Sequence, residues 1–271
     1  MKRRSQLYVP ANNMKMIQKS TTLDADSIVF DLEDAVPSNE KENARNTLAK
    51  ALSELEWNGK ELCVRINSIN DKNGIKDLEF VMSLDKINTI LVPKAEQDLS
   101  FIYKSTGKNI IPIIETSKGV VNIENVIRSE GVVAVTYGAA DLALSVYGDI
   151  KEYEKNIYIK TLIVLNAKAY DIDAIDKVYF DLKDLEGFKN EALEAKRLGY
   201  VGKQVIHPSQ ISIANEVFTP SKEEVEWAKK VISAYEEMIK QGKGALRVDD
   251  KLVDAVHYKL AKKILELSGS S

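Results

Sequence analysis

The side chains with catalytic potential follow short apolar segments that have the pattern of β-strands. Six of these segments end in polar or charged residues of types that bind substrates, metal ions or protons. In chain order the residues are Asp31, Glu33 and Asp34, then Arg65, Lys94, Glu115, Asp141 and His207. One polar residue at a strand end is ordinary, because the chain leaves the core there. A chemically complementary set favours a functional site.

Glu115 and Asp141 follow consecutive strands and are candidate metal ligands. In a barrel of parallel strands, the two carboxylates would lie on neighbouring loops. Two carboxylates without cysteine or histidine nearby form an all-oxygen site, which suits Mg²⁺ or Mn²⁺ with water retained for substrate. The structural alternative is that Asp141 caps a helix beginning at Leu142 and Glu115 is a solvated loop residue. The pattern alone leaves both interpretations open.

Arg65 ends a buried strand and is the candidate for binding an anionic substrate. A guanidinium group holds a carboxylate or an oxyanion through two parallel hydrogen bonds, which lysine does less well. The structural alternative is an ion pair with Asp31 or Glu33 at the mouth of the neighbouring strand. Both roles are compatible, since a carboxylate behind an arginine orients it. Repulsion within the acidic run would be relieved by Arg65 or by a metal ion.

The histidines and the cysteine are expected to be structural. His207 precedes Pro208, which favours an extended backbone, and a structural role is preferred for it. His257 falls in the last predicted helix as a surface residue. Neither histidine has a partner typical of a zinc site. Cys63 lies within the third predicted strand, where a small buried hydrophobe is the ordinary interpretation.

The elements that must position these residues alternate along the chain. Short apolar, β-branched segments are followed by longer amphipathic segments with helical spacing. The predicted strands are Gln6–Val9, Ser27–Asp31, Leu62–Ile66, Thr89–Val92, Ile110–Ile114, Val132–Tyr137, Ala174–Tyr179 and Val201–Ile206. The clearest predicted helices are Asn39–Leu55, Leu185–Leu198 and Lys222–Gln241. This order predicts an α/β fold, a (β/α)8 TIM barrel with a C-terminal helical extension. A doubly wound sheet is the alternative, but no G-x-G-x-x-G follows the first strand.

The chain continues well beyond the eighth strand. We expect the barrel to occupy residues 1–218 and the helical extension residues 219–271, as a floor, a lid or an intersubunit element. Ser221 and Glu224 have the spacing of a capping box, which predicts a helix start. A last helix is expected over about Lys251–Leu267, after Gly242-Lys243-Gly244.

Composition argues against several classes of partner. The 38 basic and 41 acidic side chains nearly balance, so no long-range field favours nucleic acid or an anionic membrane. No apolar run has the length needed to cross a bilayer. The single Cys63 cannot form an internal disulfide, and no signal-peptide core follows the basic start. These features predict a cytoplasmic protein.

Short motifs occur in order over nearly the whole chain. The most specific are Asp31–Pro37 and Ile206–Gln210. The others are Arg4-Ser5, Val9-Pro10, Val64–Asn67, Pro93-Lys94, Ile114–Thr116, Gly138–Leu142, Gly202-Lys203 and Val217–Ser221. In these motifs the chain resembles the citrate lyase β-subunit-like proteins of the HpcH/HpaI aldolase superfamily. Ala140 is a departure, since many relatives carry glutamate there.

The resemblance implies a TIM barrel that assembles as a homotrimer or hexamer and acts on acyl-CoA substrates with Mg²⁺. By this resemblance Glu115 and Asp141 match the metal ligands, and Arg65 matches the residue that holds the 2-oxo acid. Asp254 matches a catalytic aspartate of the C-terminal tail that acts in a neighbouring subunit's site. The presence of this tail favours a self-sufficient lyase or synthase over a subunit of a citrate lyase complex.

The expected reaction is cleavage of a malyl-, citramalyl- or citryl-like CoA ester to acetyl-CoA and a 2-oxo acid, or its reverse. Glu115 would hold the metal ion against the substrate, Arg65 would stabilise the enolate oxygen, and Asp254 would move the methyl proton. Asp31 and Glu33 would hold these residues in position without contacting the substrate themselves. The alternatives are a malate or citramalate synthase or thioesterase, a CoA-independent 2-oxo acid aldolase, and a non-catalytic acyl-CoA-binding subunit.

Overall fold

A closed barrel of parallel strands is the main feature of the computed structural model, which describes residues 1–240, 246–248 and 251–268. Its strands are β1 (Ser5–Pro10), β2 (Ser27–Asp31), β3 (Glu61–Arg65), β4 (Thr89–Val92), β5 (Asn109–Ile114), β6 (Ala134–Tyr137), β7 (Asp173–Asp176) and β8 (Gly202–Val205). Each strand pairs with the next along the chain, and β1 pairs with β8 to close the barrel. This arrangement confirms the predicted TIM barrel.

Helices follow the strands and carry the chain back to the start of the next one. They are α1 (Met14–Thr21), α2 (Lys41–Glu54), α3 (Lys72–Met82), α4 (Ser100–Thr106), α5 (Ser117–Val121), α6 (Ile123–Ile127), α7 (Ala139–Ser145), α8 (Ile150–Glu154), α9 (Ile157–Ala169), α10 (Leu185–Leu198) and α11 (Pro208–Phe218). Several begin at an Asn or Asp whose side chain accepts a backbone N–H, as at Asn13, Asp71 and Asp184. Among the described helices, none has the length and apolar character that crossing a membrane requires.

The alternation of side chains along the strands directs the candidate residues into the barrel. Successive residues of a strand face opposite sides, so every second residue points inward. The middle of the interior is an apolar cluster that includes Val29 of β2, Cys63 of β3 and Ile113 of β5. Two residues further along, the same faces carry Asp31, Arg65 and Glu115. These three side chains therefore lie at the carboxyl-terminal mouth, where barrel enzymes have their active sites.

The opposite end of the barrel interior is polar and is organised by Glu61. Its carboxylate accepts hydrogen bonds from Arg3 Nε at 2.9 Å, Ser27 Oγ at 2.7 Å and Thr89 Oγ1 at 2.8 Å. Arg3 Nη1 also donates to Asp173 at 3.0 Å. The Glu61 and Arg3 side chains are 0% and 7% exposed, so this is a buried ion pair whose hydrogen bonds are satisfied.

Strand β7 is shorter than the predicted Ala174–Tyr179, and that prediction is wrong at its carboxyl end. The strand stops at Asp176. The Tyr179 carbonyl accepts a hydrogen bond from Gln210 Nε2 at 3.0 Å, a side-chain partner in place of a neighbouring strand. The residue that follows the strand is therefore Lys177, which the sequence pattern did not single out.

Residues 1–216 and 217–271 form two compact units. The described elements of the second unit are α12 (Lys222–Lys240), β9 (Leu246–Val248), β10 (Lys251–Val253) and α13 (Ala255–Ser268). The predicted capping box is confirmed, since Ser221 N donates to Glu224 Oε2 at 2.7 Å and Glu224 N donates to Ser221 Oγ at 3.1 Å. Helices α12 and α13 pack together, with the Tyr235 and Tyr258 rings stacked at 4.6 Å.

The predicted last helix, Lys251–Leu267, is wrong at its start. Residues 251–253 form β10, which pairs antiparallel with β9. Helix α13 begins only at Ala255, because the Asp254 carboxylate accepts the Val256 N–H at 2.9 Å and so caps the helix. The predicted turn Gly242-Lys243-Gly244 lies outside the described residues.

Replacing Glu61 with alanine is expected to lower the free energy of unfolding by about 3–5 kcal/mol, because it removes one partner of a buried ion pair. Glu54→Ala is the matched control, since Glu54 is 55% exposed and lies 4.0 Å from its nearest cation, Lys50 Nζ. The control should change stability by less than about 0.5 kcal/mol. Urea unfolding followed by circular dichroism measures both, and equal losses would contradict the expectation.

Candidate functional site

A cavity of about 340 Å³ opens at the carboxyl ends of the barrel strands. Its wall contains five of the predicted residues, Asp31, Asp34, Arg65, Glu115 and Asp141. It also contains side chains that the sequence analysis did not single out, among them Tyr8, Tyr137, Lys177 and Gln204. The barrel therefore brings the predicted metal ligands and the predicted substrate-binding arginine to one cavity.

Arg65 is held by carboxylates on the neighbouring strand end. Its Nε and Nη2 donate to the two Asp31 oxygens at 2.8 and 2.6 Å, and its Nη1 lies 2.9 Å from Glu33 Oε2. The guanidinium carbon lies 5.1 Å from the centroid of the Tyr8 ring, within the range of a cation–π contact. Burial opposes the charge, but the Asp31 carboxylate holds the pKa of Arg65 well above its ordinary value. Arg65 thus makes the predicted ion pair and also lines the cavity.

The acidic loop after β2 is folded around Asp31. The two oxygens of this carboxylate accept the backbone N–H groups of Glu33 at 2.9 Å and Ala35 at 3.0 Å. Lys41 Nζ donates to the Leu32 and Glu33 carbonyls at 2.6 Å each. The Asp31 and Lys41 side chains consequently fix the backbone of the loop, and Glu33 is held buried at only 6% exposure.

Glu115 and Asp141 follow neighbouring strands, as predicted. Glu115 directly follows β5, is 4% exposed, and accepts the Lys94 N–H on Oε1 at 2.8 Å. A Cβ atom on Gly138, the residue after β6, would lie 2.5 Å from Glu115 Oε2, so only glycine leaves room for this carboxylate. Asp141 lies in the first turn of α7, which begins at Ala139. The interpretation of Glu115 as solvated and Asp141 as a helix cap is therefore wrong.

Negative charge accumulates around Glu115. Burial, and then the charges of Glu33 and Asp141, raise the pKa of Glu115 to about 8. The pKa of Glu33 is also raised, chiefly by burial, although Arg65 opposes the shift. Two cations face these carboxyl groups, since Arg65 Nη1 lies 2.9 Å from Glu33 Oε2 and Lys94 Nζ lies 3.4 Å from Glu33 Oε1. The raised pKa of Glu115 indicates that they offset only part of the negative charge.

The donor set at this point suits a hard divalent cation. The carboxylates of Glu115 and Asp141 supply oxygen ligands, and water or substrate oxygens complete such a site. Among the described residues, no group of three or more His, Cys, Asp and Glu side chains has the arrangement of a metal site. A cation held by two carboxylates agrees with this observation, because Mg²⁺ is commonly bound through one or two carboxylates.

Two of the residues that the sequence analysis missed, Tyr8 and Gln204, lie on inward-facing strand positions. Gln204 Nε2 donates to the Tyr8 hydroxyl at 2.9 Å, and both side chains line the cavity. Lys177 Nζ contacts both Glu191 oxygens, at 2.9 and 2.8 Å. Tyr8 and Gln204 occupy the positions of each strand that alternation directs inward, so the period of two was the available signal. Lys177 was missed because the end of β7 was placed too late.

The histidine that follows β8 makes local contacts, in agreement with the structural role that the sequence analysis favoured for it. His207 is exposed, and its Nδ1 lies 2.8 Å from Ser209 Oγ and accepts the Ser209 N–H at 3.2 Å. These contacts stabilise the start of α11. Asn67, which follows the third strand, donates to the Leu32 carbonyl at 2.9 Å and is likewise a structural residue.

Asp254 lies in the second unit, at the start of α13. Its Oδ1 accepts the Val256 N–H at 2.9 Å and lies 2.8 Å from His257 Nδ1. Hydrogen bonding by the His257 side chain lowers the pKa of Asp254, so the carboxylate is ionised at neutral pH. The side chain is 46% exposed and is therefore open to solvent. His257, predicted as a surface residue, is 41% exposed and is the partner of Asp254.

The sequence matches the HpcH/HpaI aldolase/citrate lyase family over residues 4–208. It is 34% identical over 292 residues to a mitochondrial citramalyl-CoA lyase of Rattus norvegicus, with 99% of this chain and 86% of that protein covered. It is 32% identical over 271 residues to a (3S)-malyl-CoA thioesterase of Cereibacter sphaeroides, with 97% and 93% covered.

A solved structure shares both the barrel and the length of the chain. It is the protein CitE from Mycobacterium tuberculosis in complex with magnesium, acetoacetate and coenzyme A. The TM-score is 0.82 at 27% identity, with 98% of this chain and 97% of that chain covered. With the match over residues 4–208, these similarities show that the chain belongs to the HpcH/HpaI aldolase/citrate lyase family.

Proposed function

We propose that this chain is a Mg²⁺-dependent carbon–carbon lyase that cleaves a malyl-, citramalyl- or citryl-like CoA ester to acetyl-CoA and a 2-oxo acid, or catalyses the reverse reaction. The observation that carries the proposal is the cation-deficient pair of Glu115 and Asp141 in one cavity with the fixed guanidinium of Arg65. The citramalyl-CoA lyase relative and the CitE complex with magnesium and coenzyme A support the choice of metal and substrate.

Glu115 and Asp141 hold the metal ion in this proposal. When bound, Mg²⁺, or Mn²⁺ in its place, supplies a Lewis acid that polarises the 2-oxo acid carbonyl. Burial of Glu115 keeps competing water away, and Gly138 leaves its carboxylate the space that it needs. The Lys94 N–H fixes one carboxylate oxygen, which orients the other toward the cavity.

Arg65 stabilises the negative charge that develops on the thioester oxygen as acetyl-CoA becomes an enolate. Its guanidinium is already oriented by Asp31 and Glu33, so little reorganisation accompanies the reaction. A fixed donor of this kind contributes more to the transition state than a mobile one. Asp31 and Glu33 are positioning residues, because they act through Arg65.

Asp254 moves the proton at the acetyl methyl carbon. Its carboxylate is ionised at neutral pH, which is the form that removes this proton in the condensation direction. In the cleavage direction the ester hydroxyl loses its proton and becomes the 2-oxo acid carbonyl as the carbon–carbon bond breaks, and protonated Asp254 gives a proton to the enolate carbon. The resemblance of the tail supports action in a neighbouring subunit of a homotrimer or hexamer. In this proposal residues 1–218 are the catalytic barrel, residues 219–271 are the intersubunit element, and the protein is cytoplasmic.

Hydrolysis of the thioester is the second candidate. The (3S)-malyl-CoA thioesterase relative, which covers 97% of this chain, supports it. Asp254 would then take a proton from water, and the products would be free CoA and a free hydroxy acid. The carbon skeleton of the acid distinguishes the two reactions, since only the lyase breaks a carbon–carbon bond.

Mg²⁺ affinity is expected to rise about tenfold per pH unit between about pH 6 and the pKa of Glu115 near 8, then to level off. The reason is that Glu115 is protonated below its raised pKa and must lose this proton when the cation binds. Calorimetry in buffers of different ionisation enthalpy measures the released proton. Glu130→Gln is the matched control, because this carboxylate is 56% exposed and does not line the cavity. Release of no proton at about pH 6.5 would contradict the expected linkage.

The reaction itself is tested with malyl-, citramalyl- and citryl-CoA in the presence of Mg²⁺, with all products identified by mass. We expect acetyl-CoA and the matching 2-oxo acid from at least one ester. Free CoA with an intact hydroxy acid would instead favour the thioesterase. No turnover of any ester would contradict both candidates.

Asp254→Asn is expected to lower kcat by about 10²–10⁴-fold, because the amide cannot accept the proton. Mg²⁺ binding, measured by calorimetry, should be unchanged. Glu266→Gln is the matched control, since Glu266 is an exposed carboxylate of the same helix, 2.9 Å from Lys263. Wild-type turnover by Asp254→Asn would remove this residue from the mechanism.

A further inference from the structure

Lys177 is a buried cation in the cavity wall to which the proposed reaction gives no role. It directly follows β7, lines the cavity that also contains Arg65 and Glu115, and is 2% exposed. Burying an ammonium group is costly unless it is paired. A lysine held at this place is therefore either part of a structural cluster or a binding group for an anion.

In the buried cluster around it, Lys177 has only a share of one carboxylate, whereas Lys203 contacts two. Lys177 Nζ contacts Glu191 Oε1 at 2.9 Å and Oε2 at 2.8 Å, while Lys203 Nζ contacts the same Oε1 at 2.6 Å. The second carboxylate, Asp176, accepts hydrogen bonds from Lys203 Nζ at 2.5 Å and from the Tyr137 hydroxyl at 3.2 Å. Two buried ammonium groups thus share Glu191.

The pKa of Lys177 reflects this shared pairing. Burial, and then the charge of Lys203, lower the pKa of Lys177, although Glu191 and Asp176 oppose the shift. A further carboxylate beside Lys177 would stabilise the ammonium. Tyr137 and Tyr200, which face Asp176, are neutral, since burial raises the pKa of each well above its ordinary value.

The rest of the cavity wall repels an anion. Of the residues that line this cavity, all in the described part of the chain, Arg65 and Lys177 are the cations. The acidic members are Asp31, Asp34, Glu115, Asp141 and Glu154. Arg65 is already faced by Asp31 and Glu33, and the proposed mechanism commits it to the enolate oxygen. Lys177 is left as the cation for any second negative group on the substrate.

We propose that Lys177 determines substrate specificity by binding a second carboxylate on the 2-oxo acid portion of the CoA ester. The chain then prefers esters that release a dicarboxylic 2-oxo acid, such as oxaloacetate, over those that release pyruvate or glyoxylate. The inference rests on the proposed lyase function and deepens it by naming the substrate class. Lys177 takes no part in bond cleavage, which remains with Arg65 and Asp254.

Lys177→Met tests this inference, since methionine is of similar length and carries no charge. For citryl-CoA, which releases oxaloacetate, kcat/KM should fall about 10–100-fold with loss of a charge-assisted hydrogen bond. For citramalyl-CoA, which releases pyruvate, it should change less than about threefold. Lys177→Arg should keep most of the preference. Glu191 retains Lys203 as a partner in each variant, so no buried carboxylate loses its only cation.

Lys189→Met is the matched control, because Lys189 lies on α10, is 39% exposed and pairs only with the exposed Glu216 among the described residues. Thermal unfolding of each variant separates a folding defect from a change in specificity. Equal losses for both esters, or no loss for citryl-CoA, would overturn the role of Lys177.

Failure of the lyase function gives a different result from failure of this inference. If the wild-type chain cleaves neither ester, the proposed function is contradicted, and binding of the free acids with Mg²⁺ tests Lys177 directly. Calorimetry should then show that Lys177→Met weakens oxaloacetate binding about 10–100-fold and leaves pyruvate binding unchanged. Equal affinity of the wild-type chain for both acids would overturn the inference.

Discussion

The site depends on an excess of buried negative charge at the mouth of the barrel. Asp31, Glu33, Glu115 and Asp141 come together there, and Arg65 and Lys94 balance only part of their charge. Such an arrangement is unfavourable without a further cation, and together with burial it raises the pKa of Glu115 to about 8. A divalent cation removes the imbalance and leaves the carboxylates ionised. In the proposed function, this charge excess favours a bound metal ion over an ordinary anion, and the metal ion in turn favours a chelating substrate.

The barrel produces this excess through strand alternation and a few tight contacts. The faces that carry Val29, Cys63 and Ile113 in the apolar middle carry Asp31, Arg65 and Glu115 two residues later. Apolar packing thus fixes the polar groups above it. At the opposite end of the interior the buried charge is balanced, because the Glu61 carboxylate accepts hydrogen bonds from Arg3, Ser27 and Thr89. Paired charge at one end stabilises the fold, and we propose that the unpaired charge at the other end binds ligands.

The sequence was sufficient for the barrel and for the residues at most strand ends, because the apolar periods and the acidic motif are local signals. The start of α12 and the ion pair of Arg65 followed from the same kind of signal and are confirmed. The end of β7 and the start of α13 were not predictable in this way. Val178 and Tyr179 have strand propensity, but tertiary hydrogen bonds hold the Tyr179 backbone outside the sheet. The charge shared by Lys177, Lys203 and Glu191 depends on three separate elements, so no linear pattern reports it.

Titration of the Glu115 side chain shows directly whether the carboxylates at the barrel mouth lack balancing positive charge. Carbon-13 NMR of glutamate-labelled protein follows each carboxyl group, and Glu115→Gln identifies the signal. Without a divalent cation, we expect Glu115 to titrate near its raised pKa of about 8. With saturating Mg²⁺, its pKa should fall below the ordinary value of about 4.3. A Glu115 carboxyl that titrates near its ordinary value in both conditions would contradict a cation-deficient site.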